Sequence, residues 1–242
     1  MKTTQPSPVP AETGLRERRK SATRRELILA GQRLFGEKGL YESRIEDLTS
    51  SAGIAKGTLY TYFADKDELV LAVASSGFAR LEEHVSRRAG TARRENDLLQ
   101  RVVRAHLEFF DENSDLMRVF HQLRGMLKFD REEWRPLRAT MNGYLAGLAR
   151  ILARTPRIEA LPAARRLEVA RLVLGTVSGV TSVAMASGAS GAGSRDADVL
   201  VRSLAAAAAE FLSGRARSAV RPRQPSARAA SMRQRPRSDP GP

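Results

Sequence analysis

The sequence predicts an all-α protein. No stretch alternates apolar and polar residues with the period of two that a half-buried strand needs. Ala, Leu, Arg and Glu, all good helix formers, dominate the body of the chain. Three helix-start signals stand close together: Thr23 with Glu26, Ser43 with Glu46, and Asp65 with Glu68. Each is a cap oxygen followed three residues later by a carboxylate, so each can satisfy orphan backbone N–H groups at a helix start.

The elements follow in order. Leu27, Ile28, Leu34 and Phe35 form the apolar face of a first helix over residues 24–36, and Gly39 ends that segment. A second helix, 44–52, turns Ile45 and Leu48 inward and breaks at Gly53. A third is short, 56–63, and a fourth starts at Lys66 and continues to about Arg88. Longer helices are expected over 95–113, 115–124, 132–153, 162–187 and 196–212. Breaks fall at Thr155-Pro156, at Leu161-Pro162 and in the glycine-rich loop 188–193. Pro136 sits near the start of its helix, where proline is tolerated.

The chain has 242 residues, and 41 Lys+Arg against 27 Asp+Glu leave a net charge of +14. Such a surplus suggests a polyanionic partner. It is concentrated at the ends: residues 1–25 hold seven basic side chains against two acidic, and residues 214–242 hold eight arginines against one aspartate. Both ends are proline-rich with little to bury, so residues 1–20 are expected to form a disordered basic arm and 214–242 a disordered arginine-rich tail. The absence of cysteine excludes disulfides, zinc fingers with thiolate ligands and thiol nucleophiles, and fits a reducing, cytoplasmic setting. No apolar run follows the N-terminal charges, so no secretory signal is expected. Residues 172–194 carry no charge, but their many Gly, Ser and Thr residues argue for a buried, closely packed helix with no role for a membrane.

The functional signal lies in residues 43–63, SRIEDLTSSAGIAKGTLYTYF. Two short helices joined by a glycine-containing turn form a helix-turn-helix. Ile45, Leu48, Ile54, Leu59 and Phe63 can share one small core that crosses the two axes. Lys56, Gly57, Thr58, Tyr60 and Tyr62 are left to form an outward surface that fits the DNA major groove. Lys56 and Thr58 lie at the helix N-terminus, the end that meets base edges. Gly57 permits close backbone approach, and the two tyrosines can offer hydroxyls to phosphate. Lys66, Ser43 and Arg44 stand at helix starts suited to phosphate.

Residues 24–73 resemble the DNA-binding domain of the TetR family of transcriptional regulators. The resemblance rests on Leu34-Phe35…Gly39, Ser43-x-Ile45, Ala52-Gly53-Ile54, Gly57-Thr58-Leu59-Tyr60, Tyr62-Phe63 and Lys66-x-Glu68-Leu69. It implies an N-terminal three-helix domain with a helix-turn-helix over residues 21–79. It also implies a C-terminal helical ligand-binding and dimerisation domain over 80–213. The implied molecule is a homodimer that binds palindromic double-stranded operator DNA and, most simply, a repressor released by a ligand. DNA contacts carried over by position fall on Ser43, Arg44, Lys56, Gly57, Thr58, Tyr60, Tyr62 and Lys66. Two positions depart from the family pattern. Ala55 removes a capping oxygen before the third helix, and Thr49 replaces a small apolar residue.

For an apolar effector the central helices offer Phe109, Phe110, Met117, Phe120, His121, Met126, Phe129, Trp134, Met141 and Tyr144, with Trp134 and His121 as polar handles. For the dimer, Leu167, Ala170, Leu174, Val177 and Thr181 align on one helix, and Leu200, Leu204, Ala208 and Phe211 on the next. Gly175 and Gly179 would allow close approach. The three histidines lack metal-ligand spacing, and no phosphate loop or nucleophile motif is present, so neither a cofactor nor enzymatic activity is expected. Two rival readings remain at this stage: an architectural DNA binder that senses nothing, and a helical enzyme or carrier fused to a helix-turn-helix.

Overall fold

The computed structural model describes residues 10–128, 132–188 and 194–213, and these are helical throughout apart from turns and short connections. The N-terminal end comprises α1 (Pro10–Lys38), α2 (Ile45–Ala52), α3 (Lys56–Tyr60) and the first turns of α4 (Lys66–Ala89). The remainder comprises α5 (Glu95–Glu112), α6 (Ser114–Met126), a 3-10 turn (Glu132–Trp134), α7 (Arg135–Leu152), α8 (Pro156–Glu159), α9 (Ala163–Ala186) and α10 (Ser194–Ser213).

The first helix differs from expectation. It begins at Pro10, so residues 10–20 are helical and not disordered, and Thr23 lies inside the helix as no cap at all. Once α1 is nucleated by its buried face, Arg16, Glu17, Arg18, Arg19 and Lys20 are all residues that propagate a helix at little cost. Residues 14–21 bury nothing, so this extension stands in solvent. Gly39, at φ +90°, then turns the chain. Residues 1–9 and the tail 214–242 lie outside the described residues.

Gly53 takes φ +64° and closes α2 by directing its N–H back to the last turn, the left-handed ending that glycine adopts without strain. One hydrophobic core runs from Leu27, Phe35, Leu48 and Phe63 through Leu69 and Leu81 to Leu98, Leu148 and Val169. No linker divides it. α4 crosses the expected boundary near residue 79 unbroken, so the two expected domains would share one helix. Proline explains two finer details: Pro156 opens the short α8 where a break was expected, and Pro136 stands in the first turn of α7.

Candidate nucleic-acid interface and ligand cleft

The helix-turn-helix is built around Leu48, Leu59 and Phe63, each 1% exposed, with Ile45 and Ile54 packed beside them. Lys56, Gly57, Thr58 and Tyr60 emerge on one exposed surface, and Tyr60 is 46% accessible. Ala55 stands in extended conformation before α3 and supplies no side-chain cap, as its methyl group dictates. Tyr62 packs partly into the core, so only part of its ring belongs to the outer surface.

Lys56 Nζ reaches Glu46 Oε1 at 2.5 Å, and that bond holds the Glu46 carboxyl below and the Lys56 ammonium above their ordinary values. Asp47 accepts from Lys38 Nζ at 2.9 Å, which lowers its carboxyl, and its second oxygen accepts the Arg44 backbone N–H at 3.1 Å. Asp47, and not Glu46, therefore caps the start of α2. Both ion pairs are exposed and contribute little to stability. They leave the region near neutral, with its lysines held by carboxylates.

Ser43 departs from its expected place. It is 2% exposed, and its hydroxyl donates to the Gly39 carbonyl at 2.5 Å. The same carbonyl also accepts the Ser43 backbone N–H at 3.2 Å. The Ser43 side chain is thereby turned away from the outer surface. Lys66 is likewise engaged: its Nζ donates to the Ser43 carbonyl at 2.7 Å and ties the start of α4 to the turn before α2. The cap on α4 forms as the spacing predicts, with the Glu68 N–H on Asp65 Oδ1 at 2.8 Å. Glu68 returns the bond to the Ala64 N–H at 2.6 Å, one residue earlier than the usual box.

Two residues at this end escaped sequence reasoning. Tyr41 is 76% exposed in the turn before α2. The Arg24 guanidinium lies 5.0 Å from the centroid of the Phe63 ring, so α1 carries its basic extension outward from beside α3. Its position among the N-terminal basic residues was legible, but its partner was not.

A cleft opens between α4, α5, α6, α7 and α9. Of the expected residues, Phe110, Met117, Phe120, His121 and Met141 line it. It encloses about 40 Å³. A drug-sized molecule therefore requires the walls to part.

Phe109, Tyr144, Met126 and Trp134 do not line the cleft. Phe109 is 3% exposed and meets the His84 ring edge-on, with centroids 5.6 Å apart. Tyr144 is buried and its hydroxyl lies 2.5 Å from His106 Nε2, while His106 Nδ1 lies 2.7 Å from the Val102 carbonyl. Complete burial lowers His106 to about 4, so the ring is neutral. The network assigns Nδ1–H as donor to Val102 and Nε2 as acceptor from Tyr144, and this pair is a satisfied piece of core. Trp134 ends the 3-10 turn before α7, half-buried. Phe129 lies outside the described residues. Sequence reasoning missed Phe78, Arg124 and Ser178, which all line the cleft. Phe78 stacks on Phe120 at 4.2 Å from within α4; a boundary placed at residue 79 hid it.

The stripe expected to form the dimer lies largely against the rest of the chain. Ala170 and Val177 are fully buried within the chain, and Leu174 and Thr181 belong to the cleft. Leu167, Leu204 and Phe211 are partly buried against the core, with the Arg165 guanidinium 4.1 Å over the Phe211 ring. The Leu200 side chain lies outside the described residues. The open face of α9 instead carries Gly175, Gly179 and Val183, the last 69% exposed, beside an α10 on which Val199 is 55% exposed. α9 is apolar on both faces, so periodicity could not distinguish them.

Residues 27–73 match the family model described as bacterial regulatory proteins, tetR family. The chain is 31% identical over 115 residues to the transcriptional repressor AcnR of Corynebacterium glutamicum, covering 46% of this chain and 56% of that protein. It is 26% identical over 99 residues to the transcriptional activator FasR of Mycolicibacterium smegmatis, covering 41% and 45%. The chain thus spans about half the length of these curated relatives. Its fold matches the crystal structure of the regulator FadR of Bacillus subtilis in complex with stearoyl-CoA. The TM-score is 0.62 at 19% identity, over 75% of this chain and 95% of that one. Residues 27–73 thus match the DNA-binding region of the TetR family of regulators, and the chain shares the all-helical fold of FadR.

Proposed function

We propose that this regulator is a cytoplasmic homodimer that represses transcription by binding a palindromic operator, and that a hydrophobic small molecule in the cleft releases it. The observation that carries the reading is the single exposed surface formed by Lys56, Gly57, Thr58 and Tyr60 at the start of a helix whose inner face is locked by Leu59 and Phe63. Arg44 and the basic α1 extension add phosphate contacts around it. Two such surfaces in a symmetric dimer would meet successive major grooves, about 34–36 Å apart.

Release follows from the position of α6. Its Met117, Phe120, His121 and Arg124 face the cleft, while Gln122 on another face grips the end of α1. Gln122 Oε1 accepts the Leu40 N–H at 2.6 Å, and its amide Nε2 lies 3.4 Å from the Phe35 carbonyl. A ligand that parts the cleft walls shifts α6 and, through Gln122, the helix that carries the reading head. AcnR is named a repressor and FasR an activator, and release from an operator overlapping a promoter is the simpler scheme. The test is selection of bound sequences from a random DNA pool. One short palindrome is expected; capture of DNA without a common sequence would overturn the reading in favour of an architectural role.

A further inference from the structure

The corner of the cleft where α6 meets α9 is chemically unlike its walls. Arg124 brings a partly exposed guanidinium there, and among the described residues it is bonded to no carboxylate. Its Nη2 lies 2.6 Å from His121 Nδ1 and donates to Ser182 Oγ at 3.0 Å. Ser182 Oγ in turn lies 2.7 Å from the same ring nitrogen. Among the described residues no ion pair involves Arg124, whereas Arg88, Arg104, Arg118 and Arg150 each face a carboxylate.

The consequence is a surplus of donors. The guanidinium carries five N–H groups, the Ser182 hydroxyl one more, and both converge on one neutral imidazole nitrogen. Burial is the first cause that lowers His121, to about 4, and the neighbouring Arg124 is the second, so the ring brings no competing charge. Partial burial of the guanidinium also lowers Arg124 from its ordinary value. Apolar groups line the rest of the cleft: Phe78 stacks on Phe120, Phe110 meets Phe120 edge-on, and Met117, Met141 and Leu174 lie around them.

We infer that the effector is an amphipathic acid: an apolar body held among the phenylalanines, and an anionic head, carboxylate or phosphate, bound by Arg124 with Ser182. This rests on the reading of the cleft as the effector site and adds the ligand's chemical class. An anion supplies the acceptors that the corner lacks, and a guanidinium binds either head through two parallel N–H groups. A neutral or cationic molecule with the same body leaves the donors on water or repels the guanidinium. When the head arrives, Arg124 turns from His121 towards it. Because Arg124 lies two residues beyond Gln122 on α6, that movement bears on the helix that grips α1.

The test measures binding to the full-length protein by calorimetry, with dodecanoate, dodecyl phosphate, dodecanol and dodecylamine below their micellar concentrations. The aromatic pair 1-naphthylacetate and 2-(1-naphthyl)ethanol serves as a second body. At least one acid is expected to bind tenfold or more tightly than the alcohol of the same body, with dodecylamine weakest. Arg124→Gln should remove that preference while leaving the alcohol's affinity unchanged, and Arg124→Lys should retain part of it. Dodecanoate against dodecyl phosphate separates the two heads. Alcohols binding as tightly as acids, or Arg124→Gln keeping the preference, would overturn the inference while leaving the cleft as an effector site. If no compound binds, the acid inference fails together with the cleft. Circular dichroism confirms that each variant folds, so lost binding is not lost structure.

Discussion

Lys56 and Lys66 look equivalent in the sequence, each the first residue of a helix near the exposed surface proposed to read DNA, but their surroundings separate them. Lys56 is exposed and its ammonium meets an exposed carboxylate, whereas Lys66 is partly buried on the Ser43 carbonyl. Lys56→Ala should leave stability within about 0.5 kcal/mol and weaken operator binding. Lys66→Ala should lower stability by about 1.5–3 kcal/mol, because a charged donor to a part-buried carbonyl is lost. Urea midpoints and operator titrations of both variants separate the two effects; equal stability loss in both would refute the distinction. Ser43 teaches the same lesson: its type and position suit phosphate, but the turn at Gly39 takes its hydroxyl. Motif spacing exposes which residues occupy the motif and says little about where each polar head finds its partner. His106 adds a pH dependence. It titrates at about 4 when folded against 6.5 for the free side chain, so between those values the unfolded chain binds more protons. Its contribution is complete above pH 6.5 and is lost as pH falls to 4, by at most about 3 kcal/mol. The stability of His106→Gln should fall less steeply over that window than that of the parent chain, measured by urea unfolding at successive pH values.

At the scale of elements, helix positions were legible because caps, glycines and prolines mark them locally, while helix contacts were not, because they depend on distant residues. α1 shows both. Its apolar face and its end at Gly39 were readable, but its N-terminal extension was taken for disorder because propagation needs no apolar residue once a helix exists. Removing residues 1–20 should therefore reduce the salt dependence of operator binding and leave sequence preference intact; an unchanged salt slope would show that the extension never meets phosphate. The joint between α1 and α6 is tight as well as hydrogen-bonded. A Cβ on Gly36 would lie 2.6 Å from Asp115 Cβ and 2.7 Å from its Cα, where no side-chain rotation relieves the clash. Gly36→Ala should cost about 1–3 kcal/mol through overpacking. Gly57→Ala, by contrast, meets nothing within 4 Å and gains helix propensity, so it should hold or raise thermal stability while weakening DNA binding. A stability loss in the second variant as large as in the first would mean that glycine at 57 serves the fold.

For the whole molecule, the open face of α9 is the feature that one chain leaves unexplained. Ala163–Ala186 is long and apolar enough to cross a bilayer, but only 22% of its most apolar window is buried within the chain. A soluble protein rarely leaves such a face in water, so a partner or a membrane must cover it. The face adjoins α10, and together the two helices present Gly175, Gly179, Val183 and Val199. Small residues flanked by valines allow two helices to approach closely, and paired copies of α9 and α10 would form a four-helix contact related by a twofold axis. Two reading heads fixed by one axis are also what a palindrome requires. Gly179→Arg tests this cleanly, because a Cβ at that position meets nothing within 4 Å and the single chain has no reason to unfold. The variant should sediment as a folded monomer, keep its helical circular dichroism, and bind the operator far more weakly, since each half-site is then bound alone. A variant that remains dimeric with full operator affinity would remove this face from the interface, and partition of the parent chain into detergent would assign it to a membrane instead.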